Sequence, residues 1–149
     1  MSRIVPERLI RISYPYTALA VARYADIDVL GHVNNIAIAV LFEEARVSFL
    51  RSILGSEVLF RKGNRILTAR TSIDYLREVA YPGEYQVGVA IGTVGRSSAR
   101  LISALFDRDS CAAVSENVLV HVTDTGPGHW SCDDRTALSC SEWAFGAPR

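Results

Sequence analysis

The feature that most constrains this chain is the run Asp26-Ile27-Asp28-Val29-Leu30-Gly31-His32-Val33-Asn34-Asn35, which leads straight into the apolar stretch of residues 36 to 50. Turn chemistry gives way to a long helical pattern, so a loop bearing carboxylates, a glycine, an imidazole and two amides must meet a helix start. A helix start offers unpaired backbone N–H groups and the positive end of the helix dipole. A carboxylate held beside it can attack a carbonyl or activate a water while N–H groups hold the developing oxyanion. Those parts suffice to cleave an acyl bond without a metal or cofactor.

Around this junction the chain reads as strand, helix, then four strands. Residues 8 to 23 alternate loosely and predict a strand, with Pro15 at an edge or bend. Residues 35 to 51 predict the helix, capped by Asn34 or Asn35. Ile36, Val40, Val47 and Leu50 mark one face, and Ile38, Leu41, Phe42, Ala45 and Phe49 fill others. A helix apolar on nearly every side is expected to be buried, as when a sheet wraps it. Residues 66 to 76 alternate, with Leu67, Ala69, Thr71, Ile73 and Tyr75 on one side of a half-exposed strand. Residues 85 to 94, 99 to 107 and 112 to 123 predict three more strands, joined by turns short enough for an antiparallel meander. Gly126-Pro127-Gly128 should break the sheet. A tail over 124–149 follows, with a short helix within residues 132 to 143 and with Trp143 and Phe145 packing back. The expectation is one α+β domain over 1–149, its core at about 8–123.

With 149 residues the chain can bury a real core as a single domain. Zero formal net charge gives no broad attraction to nucleic acid or membrane, so neither is expected as a partner. Fifteen of the sixteen basic residues are arginine, with Lys62 the exception. Cys111, Cys132 and Cys140 form no paired spacing, which argues against a disulfide framework. His129 and Cys132 are near neighbours, but no second ligand pair with zinc spacing follows, so no metal site is expected. No signal-peptide layout or run of 18 apolar residues is present, and a cytoplasmic location is expected.

The segment from Asp26 to Asn35, with Phe42-Glu43-Glu44-Ala45-Arg46 after it, resembles the signature of hotdog-fold thioesterases of the 4-hydroxybenzoyl-CoA thioesterase-like branch. Ile73-Asp74-Tyr75-Leu76-Arg77-Glu78-Val79, Pro82-Gly83-Glu84 and Gly95-Arg96-Ser97-Ser98 are similar to later segments of that family, so the likeness covers about residues 10 to 123. The resemblance implies a five-stranded antiparallel sheet wrapped around one long helix, thioesterase activity on an acyl-CoA, and a homodimer or homotetramer with sites between subunits. It implies no cofactor beyond the coenzyme A of the substrate.

Carried over residue by residue, the resemblance makes Asp28 the catalytic carboxylate, as water activator or as nucleophile. Asp26 reads as turn or salt-bridge chemistry. His32 is the second catalytic candidate, by orienting a water, donating to the thioester carbonyl or steering Asp28. Gly31 permits close backbone approach, and N–H groups around His32 and Val33 are the expected oxyanion donors. Asn34 and Asn35 are expected as caps first and substrate contacts second. Glu43 and Glu44 are rival carboxylates, because another branch of hotdog thioesterases uses this helix; the competing reading pairs Glu43 with Arg46. Arg61, Lys62, Arg65 and Arg96 are candidates for the coenzyme A phosphates, with solvated loop charge as the alternative. Ser97 and Ser98 stand where the family's Gly-x-Ser-Ser turn approaches the pantetheine. Where relatives often carry tyrosines after Asn-Asn, this chain has Ile38 and Leu41, which points to an aliphatic acyl group. Acyl carrier protein as the acyl donor, and a non-catalytic domain that binds acyl-CoA, remain the alternatives.

Overall fold

The computed structural model describes residues 4–147 apart from the side chain of Leu59, so residues 148–149 of the tail lie outside the described residues. Five main strands form one antiparallel sheet: β1 (Tyr16–Val21), β2 (Asn64–Tyr75), β3 (Glu84–Val94), β4 (Ser98–Asp107) and β5 (Ser110–Thr123). Their order across the sheet is β1-β3-β4-β5-β2, so β1 and β2 are the edges. The long helix α1 (Asn35–Leu54) lies on the concave face and packs against β1, β3 and β4. This is the sheet curled around a helix that the resemblance implies.

Alternation builds the core. Tyr85, Val87, Val89 and Ile91 of β3 point at the helix, with Leu101 and Leu105 of β4 beside them. Phe42, Ala45 and Phe49 of α1 fill the space above them. Phe49 is fully buried, and truncating such a side chain to alanine costs about 3–5 kcal/mol. The opposite face of the sheet holds a second cluster of Tyr14, Ala90, Phe106 and Val114, closed by the partly buried Phe145. Gly88 is required there: a Cβ at this position would lie 2.6 Å from the Tyr14 ring.

Several boundaries differ from expectation. Most of residues 8 to 15 are not strand: two 3-10 turns, Pro6–Leu9 and Arg11–Ser13, precede a shorter β1. Arg8 donates to the Ser115 carbonyl (2.9 Å) and Tyr14 to the Arg8 carbonyl (2.8 Å), so this segment is satisfied as a cover for the sheet. Helix α1 runs to Leu54 and is buried on one side only. Ile36 is 76% exposed, and Val40, Glu43 and Glu44 also face outward, because the helix lies on a single sheet and, among the described residues, nothing covers its far side.

Strand β2 has no single inward row, because a bulge between Thr68 and Arg70 shifts the register. Ile66 before it and Ile73 after it therefore both pack toward the core, and most of this edge strand is exposed. Gly126-Pro127 does not break the sheet. It forms a two-residue strand, β6, on β5. The tail helix α2 spans Cys132–Leu138, followed by a 3-10 turn at Ser141–Trp143. Trp143 packs on Phe49 and Phe145 on Tyr14, as expected. Among the described residues no helix is long and apolar enough to cross a membrane.

Candidate active site

The loop before α1 is a tight, self-bonded turn. Asp28 N–H donates to the His32 carbonyl (2.9 Å), Gly31 N–H donates to the Asp28 carbonyl (3.1 Å), and Ile27 bridges to Val33. Gly31 adopts φ +83°, a conformation that side chains disfavour, so the glycine makes this turn possible. The Asp28 side chain completes the turn: Oδ1 accepts from Leu30 N–H (2.9 Å) and His32 N–H (3.3 Å). Its Oδ2 takes no hydrogen bond among the described residues.

Two anchors fix this loop. Val33 N–H donates to the Val79 carbonyl (2.8 Å), and His32 bridges to Ala80, which ties the loop to the chain after β2. Asp26 accepts from Arg23 through its side chain (2.7 and 3.2 Å) and its backbone N–H (2.8 Å), and the Asp26 carbonyl accepts from Asn34 N–H (2.7 Å). The Arg23 guanidinium, followed by the Arg23 backbone N–H, holds the Asp26 carboxyl below the usual aspartate range. Asp26 is thus the salt-bridge residue expected from the sequence.

Asn34 is the helix cap, its Oδ1 accepting from Ile36 N–H (2.8 Å). Asn35 is the first helical residue, and its carbonyl accepts from Tyr75 Oη (3.0 Å). The expected oxyanion donors need correction. His32 N–H is engaged by Asp28 and Val33 N–H by Val79, so neither is free for a substrate oxygen. The Asn35 N–H, at the start of the helix, takes no partner among the described residues and replaces them as the candidate donor.

Asp28, His32, Val33, Asn34, Asn35 and Ile38 line one cavity of about 450 Å³. Its other wall is Tyr75 to Val79, brought in from the end of β2. His32 Nε2 lies 3.1 Å from Glu78 Oε2 on that wall. The sequence assigned no role to Glu78, which is 46 positions from His32; the His32–Ala80 bridge and the Val33–Val79 hydrogen bond bring the two together. Gly31 shapes the loop without lining the cavity.

Other candidates lie elsewhere. Leu41 is buried in the core and does not line this cavity, whereas Ile38, only 2% exposed, does. Glu43 is 64% exposed and pairs with Arg46 (2.9 Å), and Glu44 is exposed; neither lines the cavity. Arg61 grips both oxygens of Asp134 (2.9 and 2.7 Å) and the Leu54 carbonyl (2.6 Å), so it clamps the tail to the helix end. Lys62 and Arg65 are exposed loop-side residues outside the cavity. Arg96, Ser97 and Ser98 form the β3–β4 turn, with Gly95 N–H on the Ser98 carbonyl (2.8 Å), and Arg96 lines a different cleft. Within one protomer this turn is not brought to Asp28. Burial pushes the Cys111 thiol up to about 11, away from nucleophilic use. Among the described residues no three His, Cys, Asp or Glu side chains cluster as a metal site.

Residues 22–133 match the model of the thioesterase-like superfamily. The YsmA protein of Bacillus subtilis strain 168 is 30% identical over 92 residues, which are 61% of this chain and 60% of that protein, so the match spans less than two thirds of that relative. Among solved structures, the PA5185 protein of Pseudomonas aeruginosa strain PAO1 superposes with a TM-score of 0.80 at 25% identity, covering 93% of this chain and 97% of that one. A thioesterase of Thermus thermophilus, solved with coenzyme A and zinc, superposes with a TM-score of 0.75 at 29% identity, covering 85% and 93%. The residues matched by the family model are three quarters of the chain and include the whole Asp28 loop, α1 and β2 to β5: the chain belongs to the thioesterase-like superfamily and has the hotdog fold.

Proposed function

We propose that this protein hydrolyses acyl thioesters of coenzyme A, with Asp28 as the catalytic carboxylate. The observation that carries this reading is the geometry of Asp28. Two backbone N–H groups fix Oδ1, which leaves Oδ2 unpartnered on a residue lining the cavity at the helix start. A fixed carboxylate loses little freedom when the reaction begins. The Asn35 N–H and the helix dipole would receive the negative charge that develops on the thioester oxygen. Oδ2 then either takes a proton from an attacking water or adds to the carbonyl itself to form a mixed anhydride that water opens. The coenzyme A thiolate departs in both routes, and neither needs a metal or further cofactor.

Superfamily membership and the likeness to a thioesterase solved with coenzyme A support the carrier. The charged cavity lining is Asp28 and Glu78 against Arg77, which does not favour an acidic carrier protein as donor. Ile38 supports an aliphatic acyl group. Assaying a panel of acyl-CoAs of graded length, with release of free thiol as the readout, tests the reading. Saturable turnover of an aliphatic member is expected, and no turnover of any member would overturn it.

Exposed apolar residues around the loop support a homo-oligomer. Val29 is fully exposed, Leu30 is 75% exposed and Ile36 is 76% exposed, while the twelve-residue strand β2 leaves one edge unpaired. A dimer or tetramer by light scattering is the expected result; an active monomer would contradict it.

A further inference from the structure

The chemistry described above gives Tyr75 no part, although it lines the Asp28 cavity. It is the last residue of the edge strand β2, whereas α1 packs on β1, β3 and β4. Tyr75 is two residues from Ile73, which packs toward the core, so both stand on the helix-facing side of the sheet. From there the Tyr75 hydroxyl reaches the helix start and donates to the Asn35 carbonyl (3.0 Å). The ring thus spans from β2 to the first turn of α1.

Its place relative to the reacting atoms follows from helix geometry. N–H groups point toward the N-terminal end of a helix, and carbonyls point along it toward the C-terminal end. The Asn35 N–H, the candidate oxyanion donor, therefore faces out of the helix start. The Asn35 carbonyl, which Tyr75 holds, faces the turn that carries Ile38. An acyl chain that leaves the thioester carbonyl and runs along the helix past Ile38 meets the Tyr75 ring. Tyr75 is 41% exposed, so ring surface remains for it to meet.

Next along this side of the sheet the lining turns polar. Ile73 is paired with Ser115, and Ser115 with Ser103, on the side that also carries Leu101, Leu105 and Leu119. Both serine hydroxyls are buried and have no partner among the described residues. Asn117 Oδ1, two residues further along β5, has none either. Polar atoms left unpaired against hydrocarbon are costly, so this region does not favour a long apolar chain.

The geometry points to Tyr75 as the residue that ends the acyl subsite, its ring closing the space between α1 and β2 and limiting the substrate to short acyl chains. This inference rests on the thioesterase reading of the Asp28 cavity and adds what sets the chain length.

S-alkyl-CoA thioethers from ethyl to dodecyl have no thioester to cleave and report binding alone. Calorimetric titration of the full-length parent should show affinity rising up to about fourfold per methylene and levelling off before dodecyl. In Tyr75→Ala, with folding checked by circular dichroism, the rise should continue past the length at which the parent levels off. Tyr75→Phe keeps the ring without the tether to Asn35 and should level off where the parent does. A parent that never levels off, a Tyr75→Ala series that stops at the parent's length, or a Tyr75→Phe series that follows Tyr75→Ala overturns the assignment. So does an equal loss of affinity at every length in Tyr75→Ala, coenzyme A itself included, which makes Tyr75 a contact for the carrier. Turnover of acyl-CoAs separates this inference from the reading beneath it. Levelling that moves in Tyr75→Ala, without turnover in the parent, defeats hydrolysis and leaves the subsite standing. Turnover in the parent with the levelling unmoved defeats the subsite alone, and no binding of any thioether defeats both.

Discussion

His32 Nε2 and Glu78 Oε2 are 3.1 Å apart on the wall of the cavity that Asp28 lines. This contact joins the loop before α1 to the chain leaving β2, and it sets the direction of the imidazole. Glu78 is therefore a positioning residue for His32. Glu78→Ala removes this contact, worth up to about 1 kcal/mol at so exposed a carboxylate, and should lower kcat by up to about fivefold. Glu78→Gln keeps an acceptor oxygen and should restore most of the loss. Equal losses in both variants would mean that the carboxylate charge matters, not the orientation it imposes.

Asp26 anchors the loop through Arg23, and its carboxyl is held below the usual range. A carboxyl depressed in the folded state stabilises the fold above its unfolded value, and that contribution is lost as pH falls through the folded one. Asp26→Asn should thus lower Tm at pH 7. The gap from the parent should close as pH falls below about 3.9, the ordinary aspartate value. Thermal melts of both proteins from pH 7 to pH 3 check this; a gap independent of pH would contradict it.

Ile38 presents hydrocarbon to the cavity. A phenolic hydroxyl buried there without a partner would cost about 1–3 kcal/mol. Each methylene of an aliphatic chain gains up to about 0.8 kcal/mol until the space is filled. Aliphatic acyl-CoAs should therefore exceed 4-hydroxybenzoyl-CoA in kcat/KM, and Ile38→Tyr should narrow the difference. A clear preference of the parent for the hydroxybenzoyl thioester would show that Ile38 does not set specificity. Leu41, turned into the core, is not expected to matter in this comparison.

The order of elements was legible because local patterns dictated it: β3, β4 and β5 are apolar-rich segments bounded by short turns, and Asn34 caps α1 as its chemistry allows. The Asp26–Arg23 and Glu43–Arg46 pairs were within reach for the same reason, being three residues apart. What failed was non-local. The bulge near Ala69 changes the facing of β2 without any turn residue to mark it. The one-sided burial of α1 depends on what covers the helix, which an apolar composition does not state. His32 and Val33 lost their expected role because their N–H groups bond to Asp28 and to Val79, the latter on a distant segment. Glu78 and the wall from Tyr75 to Val79 enter the site only through tertiary pairing.

If Asp28 performs the chemistry, turnover of an acyl-CoA must collapse in Asp28→Asn. Asparagine keeps the size and the oxygen that caps Leu30 and His32 N–H, but it is neither base nor nucleophile. A fall in kcat of roughly 10²–10⁴ with an unchanged melting profile is expected. Turnover near the parent rate in Asp28→Asn, with Glu43→Gln or Glu44→Gln inactive, would contradict it and move the catalytic carboxylate onto the helix.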